Sequence, residues 1–216
     1  MTKSSSHKRT TAIIIALLAW FAIVLQLYIM LGDAPAIGFS PFATIVNFLS
    51  YFTILSNLFV AITLSVKEGS VFSGNKIRSA IAVYIVIVGL VYNLVLRKVW
   101  SPHGWQLVAD NLLHVAIPLL YVVFWYFFVP KGILKWKHLL PWLIFPLLYL
   151  VYSLARGALT GWYPYPFLNA DQTGYSKVAL NSSLVFAAFL IIGLAVIAIN
   201  RAGPSAKPGY REVKRT

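Results

Sequence analysis

The 216-residue sequence contains no cysteine, which excludes disulfides, cysteine-ligated metal sites and thiol chemistry on either side of any membrane. It also lacks the HExxH, GxSxG, P-loop and GxGxxG motifs that mark common soluble enzymes. Charge is scarce: 11% of residues are charged against 60% hydrophobic, with a mean hydropathy of +0.79. A water-soluble domain of this size cannot hide that much apolar surface in one core, so the solvent for most of the chain is lipid. The formal charge of +13 does not indicate nucleic acid, because the cations sit in short clusters between long apolar runs instead of forming a stripe.

What is present is a series of apolar stretches. They run from about Thr11 to Leu31, Pro41 to Val66, Arg78 to Val99, Gln106 to Val129, Lys137 to Arg156 and Ser176 to Asn200. Each approaches or exceeds the ~20 residues a helix needs to cross a ~30 Å hydrocarbon core. The expected fold is therefore all-α: a polytopic six-transmembrane-helix bundle over residues 11–200, flanked by polar, mobile tails at 1–10 and 201–216. The first stretch has a rival reading as a signal peptide, given its basic start and the small residues Ala34-Pro35-Ala36. Its apolar run exceeds the ~7–15 residues of a signal-peptide core, which favours a retained helix.

Orientation follows from the cations in alternate loops. Lys3, Lys8, Arg9, Lys67, Lys76, Arg78, Lys131, Lys135, Lys137, Arg201, Lys207, Arg211, Lys214 and Arg215 fall on one side, leaving Arg97, Lys98, Arg156 and Lys177 on the other. The positive-inside rule puts both termini in the cytoplasm of a multi-pass protein of the cell membrane. Trp100, Trp105, Trp136, Trp142 and Trp162 fall near the expected interfaces, as an aromatic belt requires.

Polar side chains inside a bilayer are expensive unless they face protein or water. On the second stretch Asn47, Ser50, Thr53 and Asn57 recur at steps of three and four, which confines them to one helix face. On the fourth, Asp110 and His114 are four apart with Asn111 alongside and Pro118 one turn on, so the carboxylate is placed to orient the imidazole. Asn93 and Arg97 are likewise four apart, and Tyr149, Tyr152, Ser153 and Arg156 gather near the end of the fifth stretch. At 1.5 Å per residue, Thr53 lies ~17 Å and His114 ~12 Å below the starts of their helices, a difference that helix tilt absorbs. Taken singly, the Asn and Ser residues read as interhelical glue, and Arg97 and Arg156 as cations snorkelling to headgroups. An ionisable pair at depth is instead a functional candidate. The loop from Arg156 to Asn169, with Trp162, Tyr163, Tyr165 and Phe167 between prolines and glycines, is composed to cover a lipid-facing cavity or to form an interfacial belt.

Three segments, Ser50-Tyr-Phe-Thr-Ile-Leu-Ser-Asn57, Asp110-Asn-Leu-Leu-His-Val-Ala-Ile-Pro118 and Gly161-Trp-Tyr-Pro164, carry a resemblance. The chain resembles, from about Asn47 to Asn200, the bacterial six-helix relatives of the androgen-induced protein and androgen-dependent TFPI-regulating protein family. That resemblance implies a membrane hydrolase of fatty acid esters of hydroxy fatty acids, with the threonine and histidine of its motifs falling on Thr53 and His114. The chemistry is consistent: a threonine hydroxyl needs a base, and imidazole is the usual one. Asp110 would orient His114, and Asn57, Asn93 or Asn111 would supply donors to an oxyanion. Arg97, Arg156, Trp162 and Tyr165 would bind substrate. No cofactor and no metal are expected; the partners are membrane lipids and a lipid ester or fatty-acyl substrate. The alternative is a non-enzymatic lipid-binding protein or small-solute transporter whose polar groups line a pathway.

Overall fold

The computed structural model describes residues 3–203, and all regular structure within them is helical. The helices are α1 (Lys3–Asp33), α2 (Pro41–Leu49), α3 (Phe52–Ser65), α4 (Asn75–Leu94), α5 (Gly104–Asn111), α6 (Ile117–Phe128), α7 (Leu139–Thr160), α8 (Ala170–Thr173) and α9 (Tyr175–Ala202). A π-helical turn, Leu112–Ala116, joins α5 to α6 into one span. Five helical spans are long and apolar enough to cross a membrane, and the bent pair α2–α3 passes the same test together. The protein is thus an all-α, multi-pass membrane bundle, as the apolar runs predict.

Three expectations need correction. The first helix begins at Lys3 and not at Thr11, so regular helix extends into the polar N-terminal segment. The second span is not one helix: it breaks between Leu49 and Phe52 with a bend of 75°. Trp142 does not belong to an interfacial belt; it is buried, and its carbonyl accepts the Tyr84 hydroxyl at 2.7 Å. Trp100, Trp105 and Trp136 are exposed, consistent with a belt. The expected C-terminal cations Lys207, Arg211, Lys214 and Arg215 lie outside the described residues.

Helix α1 packs against α3, α5 and α6 through the buried small residues Ala12, Ala16, Ala19 and Ala22, whose spacing lets the backbones approach closely. Helix α4 is central, touching α3, α6 and α9, while α7 packs on α9. Leu17, Val24, Leu148, Val151, Leu184 and Ile191 point outward as lipid-facing apolar surface. Near the other end of α1, Gln26 and Gln106 of α5 exchange two amide hydrogen bonds, at 2.8 and 3.3 Å.

At the end of the bundle that carries most cations, Glu68 collects a charge cluster. Arg78 donates to its carboxylate through both terminal nitrogens, at 3.2 and 2.9 Å, and Lys8 approaches to 3.0 Å, tying the start of α1 to the start of α4. Arg78 itself is 2% exposed and lies over the Phe124 ring. Burial works to raise the Glu68 carboxyl, but the hydrogen bonds and charges of Arg78 and Lys8 outweigh it and hold it below the ordinary 4.5. Glu68 therefore contributes stability that is complete above its unfolded-state value and is lost as pH falls through the lower folded value. Because its side chain is 59% exposed, solvent screens much of that gain. Thermal unfolding in detergent should show Glu68→Gln less stable than the parent at neutral pH, with the gap closing as the pH drops below 4.5. An equal gap at all pH values would contradict the assignment.

Candidate functional site

The site is built where two spans lose regular helical form. A bilayer core offers no water to unpaired backbone groups, so each group freed by an irregularity needs a partner within the protein. In the fourth span the cause is Pro118, which has no N–H. The Ile117 N–H reaches back five residues to the Leu112 carbonyl, closing a π turn. That leaves the Leu113 carbonyl without a main-chain donor, since its next candidate is Pro118. Asn57, fully buried on α3, donates to it at 3.1 Å and to the Thr53 carbonyl of its own helix at 2.8 Å. Asn93 of α4 donates to Gly89 O at 2.8 Å and to His114 O at 3.5 Å. Position 89 holds glycine where α4 crosses close to this turn: a Cβ there would sit 3.4 Å from His114 O and 3.5 Å from Pro118.

The break in the second span is served by tyrosines. Ser50 Oγ donates to Val46 O at 2.6 Å, a back-bond that competes with helix continuation. Tyr149 donates its hydroxyl to Ser50 O at 2.8 Å and accepts the Phe52 N–H at 3.2 Å. Tyr165 accepts the Thr53 N–H at 3.2 Å, and Tyr152 pairs with Ser50 Oγ at 2.7 Å. Thr53 is therefore in the first turn of α3, at the positive end of a helix dipole inside the bundle. The N–H of the next residue, Ile54, has no acceptor among the described residues.

Around His114 the structure brings together Asp110 and an unexpected third residue, Tyr92. His114 Nδ1 lies 2.9 Å from the Asp110 carbonyl and 3.4 Å from its carboxylate. A carbonyl only accepts, so Nδ1 carries the proton and a neutral ring leaves Nε2 as the free lone pair. Tyr92 donates its hydroxyl to the other oxygen of the Asp110 carboxylate and stacks its ring on the imidazole, centroids 4.0 Å apart. Tyr92 was not singled out from sequence; its signal is the position one turn after the packing glycine Gly89, which only the α4–α6 crossing makes meaningful.

Two cavities meet here. The wider, about 470 Å³, is bordered by Asn47, Thr53, Asp110 and His114 and, at the end away from the cation-rich loops, by Asp33 and Trp162. The narrower, about 80 Å³, lies between α3, α4, α7 and α9 and is almost wholly apolar. Thr53, Tyr92 and Tyr165 border both.

Thr53 and His114 thus share one cavity, but no hydrogen bond joins them; Thr53 Oγ1 lies 3.3 Å from the Tyr165 hydroxyl instead. The 75° bend also means that Asn47, Ser50, Thr53 and Asn57, though all buried, do not share one helix face. Asn57, Asn93 and Asn111 are not free donors: each spends its amide on main-chain carbonyls, Asn111 on Leu107 O at 3.0 Å. Arg97 is exposed, bonded to Asn93 and outside both cavities. Arg156 bonds Asn47 at 2.6 Å and lies 4.3 Å from the centre of the Trp162 ring, so it braces the cavity wall from behind. Trp162 and Tyr165 do line the wide cavity. No group of three or more His, Asp or Glu suited to a metal occurs among the described residues.

Replacing Asn57 by Ala strips the only side-chain donor among the described residues from the Leu113 carbonyl, and an unsatisfied buried acceptor costs ~1–3 kcal/mol. Unfolding of the purified protein in mixed micelles should register a loss of that size for Asn57→Ala and a much smaller one for Asn111→Ala. Comparison with protein-family models, with curated proteins and with solved structures returns no match for this chain.

Proposed function

We propose that this protein is an integral membrane hydrolase that cleaves a lipid ester, with Thr53 as nucleophile and His114 as base. The observation that carries the reading is the position of Thr53: a hydroxyl in the first turn of a broken helix, at the junction of a narrow apolar slot and a wider cavity that also holds a His–Asp–Tyr cluster. A soluble substrate has no use for the slot, and a structural threonine has no use for an oriented imidazole. The short motifs shared with the androgen-induced protein and TFPI-regulating protein family support the same assignment and point to fatty acid esters of hydroxy fatty acids.

In the proposed reaction Thr53 Oγ attacks the ester carbonyl carbon. Its proton passes to His114 Nε2 over one water, since no direct bond links the two side chains. The negative charge on the former carbonyl oxygen meets the free Ile54 N–H and the Tyr165 hydroxyl, near the positive end of α3. Collapse expels the alcohol, which takes the proton from His114, and leaves an acyl-threonine. Water then attacks that ester with His114 again as base, releasing the fatty acid and restoring the hydroxyl. Asp110 holds the imidazole, and Tyr92 holds Asp110.

The distribution of cations, fourteen on one side against four on the other, supports both termini in the cytoplasm of the cell membrane. The wide cavity then opens on the extracytoplasmic side. A second reading, a non-catalytic lipid-binding protein, is favoured by one observation, the lack of a hydrogen bond between Thr53 and His114. A transport pathway has less support, because Val60, Ala61, Tyr121 and Phe124 close the bundle with almost no accessible surface.

Purified protein offered fatty-acyl esters of hydroxy fatty acids should release free acid. Thr53→Ala and His114→Ala should both fall to background, and Tyr165→Phe should lose roughly 10²-fold in kcat. A fluorophosphonate probe should label Thr53. Undiminished turnover in both alanine variants would remove the catalytic reading, and bound lipid without turnover would favour the second.

A further inference from the structure

The narrow slot has a floor as well as walls. On α4, α7 and α9, three of the four helices that line it, the residues furthest from Thr53 towards the cation-rich end are Ile87, Pro146 and Phe189. There Phe52, Tyr84, Phe145 and Phe189 form an aromatic cluster with ring centroids 5.2–6.4 Å apart. Edge-on, tilted and stacked contacts of this kind pack densely. The cluster is also fixed in place, because Tyr84 donates its hydroxyl to the Trp142 carbonyl. Phe189 is 4% exposed, so the floor does not open to lipid beneath it. The opposite end, beside Thr53, is bordered by Tyr165, Phe167 and Leu168 of the loop after α7.

The slot is short. Along α9 it extends from Ser182 to Phe189, seven residues or ~10 Å of helix rise. An extended alkyl chain with C–C bonds of ~1.5 Å advances ~1.3 Å per carbon, so that length holds roughly eight carbons. Its volume of about 80 Å³ is roughly five to eight times the minimum that holds one water, enough for a single chain and not for two side by side. The wide cavity on the other side of Thr53 is about 470 Å³ and carries the polar groups. A bulky or polar alcohol portion belongs there, and the acyl chain belongs in the slot.

Resting on the hydrolase reading above, we infer that the slot is a ruler for a single medium-length acyl chain, with Phe189 as the residue that sets its length. Diacyl lipids and long saturated chains are poor occupants, because the second chain or the excess carbons meet the aromatic floor. Phe189 touches neither Thr53 nor His114 in this role; it determines specificity and takes no part in bond making.

The test uses the full chain in lipid nanodiscs with 4-nitrophenyl esters running from acetyl to palmitoyl. Expected is a kcat/KM optimum near octanoyl. Phe189→Ala should move the optimum at least two carbons longer, and Val88→Phe, which narrows the slot, should favour acetyl and butyryl esters. Where Phe189→Ala does not accumulate, Phe189→Leu shortens the floor more gently and should move the optimum in the same direction. In parallel, wild-type protein is irradiated with a diazirine-bearing octanoic acid and the adducts are mapped. Adducts on Val185, Phe186 or Leu150 that excess octanoate suppresses support the slot. If esters are hydrolysed with a chain-length profile that neither variant moves, the ruler is overturned and the hydrolase stands. If no ester is hydrolysed but octanoate-suppressible adducts form in the slot, the hydrolase falls and the chain site stands. Adducts confined to outward-facing residues such as Leu148 and Val151 overturn the slot itself.

Discussion

One side-chain amide holds the centre of this protein together. Asn57 Nδ2 spans the carbonyls of Thr53 and Leu113, and so joins the first turn of a broken helix to a π turn in another span. In water either carbonyl would take a solvent proton donor and the tie would have little value. In a hydrocarbon medium the Leu113 carbonyl freed by the π turn is not tolerable without a donor, so that turn depends on a partner held in the first turn of the broken helix. Their coincidence in space brings the Thr53 hydroxyl and the His114 imidazole to one cavity.

The remaining freed backbone groups are met by long polar side chains reaching in from other spans and from the loop after α7. Tyr149 and Tyr165 supply hydroxyls to the start of α3, Tyr152 to Ser50 at its break, and Asn93 to the carbonyl of His114. Tyrosine suits this duty because its ring buries in the apolar packing while its tip bonds the main chain. A hydroxyl has both donor and acceptor capacity, so a tyrosine that accepts an N–H still has a proton to give. That surplus proton on Tyr165 lies beside Thr53 Oγ1, 3.3 Å away, at the border of both cavities.

Sequence made the architecture legible because length and hydropathy report on the solvent directly. It also brought Asp110 beside His114, since four-residue spacing survives a π turn. It did not reveal the break at Ser50, where neither proline nor glycine stands; the bend exists only because tyrosines from elsewhere in the chain accept the loose ends. The same blindness to tertiary partners made Asn57, Asn93 and Asn111 look like available donors when carbonyls already occupy them. Trp142 read as interfacial because its position near a span end resembles that of Trp136, yet one is buried and the other exposed. Arg97 lies beyond the end of α4, where the chain turns outward, so spacing from Asn93 carried no information about the cavity.

The long first helix is fastened at its two ends by opposite kinds of bond. Near its start Lys8 reaches Glu68, a contact made of charge, whereas Gln26 and Gln106 lock the cavity wall with a reciprocal pair of neutral amides. Amides do not ionise over any biological range, and their bonds are indifferent to counterions. Acid or high salt should therefore loosen the first helix from the cation-rich end while the wall beside the wide cavity keeps its shape, so the chamber is insulated from the ionic conditions felt at the opposite surface.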